Sequence, residues 1–245
     1  NMNFCETISE VLEMEGYKTE TVYDGRSAID VIKNDGINLV LMDIKMPVMD
    51  GVDTFLKIKD ISVDLPVILM TAYAVEDRIQ IALRNGAFGV FKKPVDLEKL
   101  FNSINRAGSD GALIMIADDD EELSSHLLDE FEEKGYQGMV AEDAETAFHI
   151  ASENRVDIII LDMKSQAFRG LETYTAIRDI RPDVIVIILS SLNDEDGESA
   201  DLMKKSSVSA CLEKPVDMTQ MLEVINKLLP AFETDRKSTR LNSSH

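Results

Sequence analysis

Asn38-Leu39-Val40-Leu41-Met42-Asp43 is apolar at four consecutive positions and ends in a carboxylate, and it returns 119 residues later as Asp157-Ile158-Ile159-Ile160-Leu161-Asp162. An unbroken apolar run of this length, without alternation, predicts a strand buried on both faces, and therefore a parallel sheet covered by helices. Working outward, the same offset recurs. Met14-Glu15-Gly16-Tyr17 returns as Glu133-Lys134-Gly135-Tyr136, and Val67-Ile68-Leu69-Met70-Thr71 as Val186-Ile187-Ile188-Leu189-Ser190. Lys93-Pro94-Val95-Asp96 returns as Lys214-Pro215-Val216-Asp217, two residues further on. A period this long is a duplicated domain rather than a solenoid, whose units are shorter.

Each copy reads as strands alternating with helices. In the second, Leu113–Ala117 is a short apolar strand, and Leu123, Leu127, Leu128 and Phe131 form one stripe of the helix that follows. Phe4, Ile8, Val11 and Leu12 form the matching stripe in the first copy. Gly16 and Gly135 stop these helices, where a left-handed residue is wanted. Strands are expected near Thr19–Tyr23 and Gln137–Ala141, and helices around Gly25–Asn34 and Asp143–Asn154. Further apolar strands follow at Val67–Met70 and Val184–Leu189. This alternation implies an open, doubly wound α/β sheet, whose ligand site lies beyond the carboxyl ends of its strands. Asp43, Thr71 and Lys93 sit at such ends, as do Asp118, Asp119, Asp162, Ser190 and Lys214.

Composition narrows the function. The chain of 245 residues carries a net charge of -21, which repels nucleic-acid backbones and anionic lipid. No apolar run is long enough to span a membrane, no signal peptide is visible, and a cytoplasmic location is expected. Cys5 and Cys211 fall in different copies and read as reduced, buried thiols rather than a disulfide framework. His126 and His149 read as ordinary helix residues. The basic, aperiodic tail Arg236–His245 reads as a translated adapter and is set aside. Subtracting the offset from Asp118 and Asp119 places their partners just before Asn1, so the first copy is expected to lack its first strand and its acidic pair. That would leave neighbouring strand edges unpaired. The first copy is therefore expected to be unstable, and the second to fold alone.

The spacing carries a family resemblance. Asp43 to Thr71 and Asp162 to Ser190 are both 28 residues, and Asp119 to Asp162 is 43. With Met42-Asp43-Ile44-Lys45-Met46-Pro47, Met49-Asp50-Gly51, Met70-Thr71-Ala72-Tyr73 and Phe91-Lys92-Lys93-Pro94, the chain resembles the receiver domain of two-component response regulators. It does so twice, over 1–106 and 113–230, with a linker at 107–112 and a tail at 231–245. The resemblance implies flavodoxin-like (βα)5 domains with sheet order 2-1-3-4-5, the first without strand 1. It implies transfer of a phosphoryl group from a kinase phosphohistidine to Asp162 or Asp43, with Ser190 and Lys214, or Thr71 and Lys93, beside the acceptor. It implies Mg²⁺ held by Asp118, Asp119, Asp162 and the backbone carbonyl of Lys164. The hydroxyls of Ser190 and Thr71 act there as switches together with the residue three before the Lys. The family often has an aromatic at that position, whereas here it is Cys211 and Val90, so rearrangement there should be reduced. The implied partners are a histidine kinase or phosphotransfer domain, with room for a receiver–receiver dimer.

The second copy departs from the pattern, with Gln166 for the proline, Arg169 for Asp50, and two residues inserted, placed in Asn193–Glu198. The chain reads as part of a hybrid histidine kinase or multidomain regulator. It is a phosphoacceptor with at most weak autodephosphorylation, not an enzyme. Two alternatives stand beside this. One is a pseudo-receiver that binds partners without phosphorylation. The other is an aspartyl-phosphate hydrolase of the haloacid dehalogenase type, opposed by Lys45 and Lys164 where that family has a second Asp.

Overall fold

The computed structural model describes residues 2–34, 36–72, 76–109, 111–163, 165, 168, 170–191 and 208–229. Lys164, Gln166, Arg169, the 193–198 segment and the 231–245 tail lie outside these residues.

The second half is a parallel five-stranded sheet in the order β5-β4-β6-β7-β8. Its strands are β4 (Leu113–Ala117), β5 (Gln137–Ala141), β6 (Ile158–Asp162), β7 (Ile185–Ser191) and β8 (Ala210–Lys214), joined through helices α6 (Glu121–Glu133), α7 (Ala144–Glu153) and α8 (Gly170–Ile180). A last helix, α9, covers 218–229. Renumbered within the half, the order is the expected 2-1-3-4-5. Both sheet faces are covered, as the unbroken apolar runs require. Ile114 and Ile116 pack with Leu127, Phe131, Met221 and Ile225 on α6 and α9. Leu113, Met115 and Ala117 pack with Ala147, Ile150, Ile177 and Ile180 on α7 and α8.

The first half has a three-stranded parallel sheet, β1 (Val40–Asp43), β2 (Val67–Thr71) and β3 (Gly89–Lys92), in that order. Its helices are α1 (Met2–Met14), α2 (Gly25–Ile32), α3 (Gly51–Ile61), α4 (Glu76–Arg84) and α5 (Leu97–Ala107). Alternate residues of β2 serve opposite faces. Val67 and Leu69 meet Phe55 and Ile58 of α3, while Ile68 and Met70 meet Ile8 of α1 and Leu100 and Ile104 of α5.

One sequence expectation fails. Residues 19–23 form no strand. They stand where β5 stands in the second half, and β5 takes its ladder hydrogen bonds from β4. Among the described residues the first sheet has no counterpart of β4, so this segment has nothing to pair with.

The repeat also extends to a contact that no motif announced. The Tyr17 hydroxyl donates to Asn105 Oδ1 at 2.7 Å, and the Tyr136 hydroxyl donates to Asn226 Oδ1 at 2.9 Å. In both halves the tyrosine after the stop glycine thus ties the first helix to the last. Gly16 and Gly135 have φ of +89° and +83°, as their helix-stopping role requires.

Candidate functional site

In the second half the strand ends converge. Three consecutive aspartates follow β4 and divide their work. Asp120 caps α6, its carboxylate accepting from the Glu122 and Leu123 amides. Asp118 is only 2 % exposed. Its Oδ1 accepts from the Asp120 amide at 3.0 Å and its Oδ2 from Lys214 Nζ at 2.7 Å. Asp119 is exposed. Carboxylate oxygens of Asp118, Asp119 and Asp162 all lie within 4.8 Å of one another. Asp162 ends β6 and its Oδ2 accepts from Lys214 Nζ at 3.0 Å. Lys214 therefore bridges two buried carboxylates. Burial by itself would lower its ammonium, but the hydrogen bonds to Asp118 and Asp162 outweigh that and raise it.

Ser190 sits on β7 opposite Glu213, one residue before Lys214 on the neighbouring strand. Its buried hydroxyl accepts from the Cys211 thiol at 3.6 Å. Cys5 and Cys211 are free and half-buried rather than buried as expected, because Cys211 lies on the edge strand β8.

The first half repeats part of this arrangement. Lys93 Nζ donates to Asp43 Oδ2 at 2.6 Å. The Lys45 amide donates to Asp43 Oδ1 at 3.1 Å. Thr71 is buried at the end of β2, and its carbonyl accepts from the Lys93 amide. Lys92 points outward and is exposed, as strand alternation predicts. Val90 and Phe91 likewise join different apolar clusters on opposite faces. Among the described residues no acidic trio gathers around Asp43. Instead Lys93 Nζ lies 4.0 Å from the centre of the Phe4 ring.

Two features escaped the sequence reading. Arg78 of α4 reaches back to Asp50, the cap of α3, and to Asp53 at 2.7 Å. The arginine comes from a distant helix, so no local spacing pairs it with Asp50. Phe4 was read only as part of an apolar stripe, and its contact with Lys93 is set by tertiary packing.

The acidic trio suits a small, hard cation that prefers oxygen donors, Mg²⁺ above all. A carboxylate beside such a cation, a lysine and a hydroxyl can accept an electrophilic phosphorus while its growing negative charge is balanced. No helix among the described residues is long and apolar enough to cross a membrane.

The chain is similar to sporulation initiation phosphotransferase F of Bacillus subtilis, 35% identical over 99 residues that make up 40% of this chain and 80% of that protein. It is similar to the regulatory protein AtoC of Escherichia coli, 37% identical over 105 residues, 43% of this chain and 23% of that protein. It thus spans about a quarter of the length of that longer relative. Among solved structures it resembles a response regulator receiver protein from Pseudomonas putida, with 28% identity and a TM-score of 0.44, over 49% of this chain and 98% of that one. The model of the response regulator receiver domain matches residues 1–105 and again 114–226, and by that double match the chain belongs to the response regulator receiver family and carries the domain twice.

Proposed function

We propose that the second receiver is the working phosphoacceptor of a two-component relay and that Asp162 is the acceptor. An Asp162 carboxylate oxygen attacks the phosphorus of a phosphohistidine on a histidine kinase or phosphotransfer domain. The P–N bond breaks, the imidazole leaves, and an acyl phosphate remains on Asp162. Asp118, Asp119 and Asp162 would hold Mg²⁺, which supplies charge neutralisation for two anions brought together. By the family resemblance, the Lys164 carbonyl joins them. Lys214 pairs with a phosphoryl oxygen and Ser190 hydrogen-bonds another, drawing its loop inward. The observation that carries this reading is the gathering of three carboxylates, Asp118, Asp119 and Asp162, two of them bridged by Lys214, at the carboxyl ends of β4, β6 and β8.

The first receiver has Asp43, Thr71 and Lys93, without gathered carboxylates among the described residues. Asp43 is the weaker acceptor in this chain. As in its longer relatives, the receivers would serve a larger regulator or hybrid kinase. A second reading, a pseudo-receiver that binds without phosphorylation, rests on the second copy's departures from the family pattern at Gln166, Arg169 and Cys211.

The test is incubation with Mg²⁺ and acetyl phosphate, with phosphosites mapped by mass spectrometry. Labile phosphate on Asp162, absent without Mg²⁺ and absent in Asp162→Asn, is the expected outcome. An unmodified chain would favour the pseudo-receiver, and phosphate on Asp43 alone would reverse the assignment of the two halves.

A further inference from the structure

Arg181 follows α8 and is 5 % exposed, although among the described residues no carboxylate receives its guanidinium. Four backbone carbonyls do, two from each half. Nε donates to Ala151 at 2.8 Å and Nη2 to Asn154 at 2.9 Å within the second half. Nη1 donates to Ala87, and Nη2 also to Phe88 at 2.8 Å, both at the entrance of β3 in the first half. Burial pushes this guanidinium down to about 9, so it remains charged at neutral pH. A buried cation is tolerated only where its donors are met, and here half of its acceptors belong to the other receiver.

Further contacts surround this one. Ser103 of α5, fully buried, donates to the Glu153 carbonyl at 3.1 Å. Arg106 donates to Asn154 Oδ1 at 3.2 Å. Arg84, at the end of α4, pairs with Asp179 of α8 at 3.4 Å. Gly89 lies so close to the Glu153 carbonyl that a Cβ there would overlap it. One continuous apolar cluster includes Ala87 and Val90 from the first half and Ile150, Ala151 and Ile180 from the second. In a chain of charge -21 two acidic domains repel each other. Arg84, Arg106 and Arg181 meet the opposite half at this seam, where that repulsion is opposed most directly.

We propose that the second receiver is the resident partner of the first at the end where β3 begins and α4 and α5 stop, anchored by Arg181, and that this docking closes that end to other proteins and to a second copy of the chain. The proposal is independent of phosphotransfer. The contacts gather where β3 begins and where α4, α5, α7 and α8 end, which is the end of each sheet opposite Asp43 and Asp162. Both acceptor ends therefore stay open. The short link from α5 to β4 keeps the halves at high effective concentration, which favours the contact within one chain over the same contact between chains.

The test is proximity in the full chain. Arg84→Cys and Asp179→Cys, at half-exposed positions, are combined with Cys5→Ser and Cys211→Ser. A short bis-maleimide is then applied at micromolar protein, with the mass followed by light scattering. The expected result is a cross-link within a monomer. Gly89→Val, which overfills the seam without touching a charge, should lower its yield on the order of tenfold, since the tether alone then holds the halves. Ser103→Lys serves the same purpose should Gly89→Val not fold, as judged by circular dichroism. Cross-linking between copies, none in a folded chain, or a yield unchanged by a folded seam variant would overturn the proposal.

Discussion

Asp118, Asp119 and Asp120 are neighbours in the chain with separate duties, and their division shows what a single residue can decide. Asp120 is a helix cap, the ordinary duty of an acidic residue just before a helix. Lys214 occupies the space between Asp118 and Asp162 and competes with any cation bound there. Lys214→Met should therefore bind Mg²⁺ about fivefold tighter by titration calorimetry, since removing one neighbouring charge is worth roughly 1 kcal/mol. The same variant should accept less phosphoryl group, having lost its counter-charge. Asp143 caps α7, and hydrogen bonding from the Thr146 amide holds its carboxyl below the usual 3.8. A depressed carboxylate stabilises the fold above its unfolded value and loses that contribution as pH falls through the folded one. Asp143→Ala should thus lower Tm at pH 7. The deficit should narrow as the pH drops below 3.8 and vanish in stronger acid, as followed by thermal melts across pH.

At the scale of elements, the two kinds of glycine in this fold should respond differently to one methyl group. Gly135 has positive φ and open space around it, so Gly135→Ala meets only the left-handed penalty, about 1 kcal/mol. Gly51 begins α3 against backbone, with Ile44 Cα at 2.9 Å from the position of a Cβ. Gly51→Ala must push α3 off the end of β1 and should cost more, about 1–3 kcal/mol. Urea unfolding of both variants compares them directly. The strands at 113–117, 137–141 and 158–162 were legible because each is an apolar run or a bounded short segment. The segment 19–23 has the same local character without forming a strand, because pairing depends on a neighbour and not on the segment itself. In the site, Asp43 with Lys93 and Asp162 with Lys214 could be read from strand ends in register. The link between Arg78 and Asp50 could not, because helix α4 meets helix α3 only through the tertiary fold.

For the whole molecule, charge and seam act in opposite directions. At -21 the two halves repel, and salt screens that repulsion. Calorimetry should show both halves melting in one transition, with Tm rising about 2–4 °C between low and moderate NaCl, roughly 1 kcal/mol at this size. Reading the repeats separately leads one to expect a second receiver that folds alone beside an unstable first. The seam was invisible to that reading, because contacts between copies leave no period in the sequence and Arg181 belongs to no motif. Its four carbonyl acceptors also bear on how such a protein can be taken apart and recombined. A chimera that grafts the second receiver onto an unrelated neighbour must present two outward carbonyls where Ala87 and Phe88 present theirs. Without them it inherits a buried cation with half its acceptors missing. The natural cut points for engineering therefore lie outside the pair, and the short link after α5, inviting as it looks in the sequence, is a poor place for the scissors.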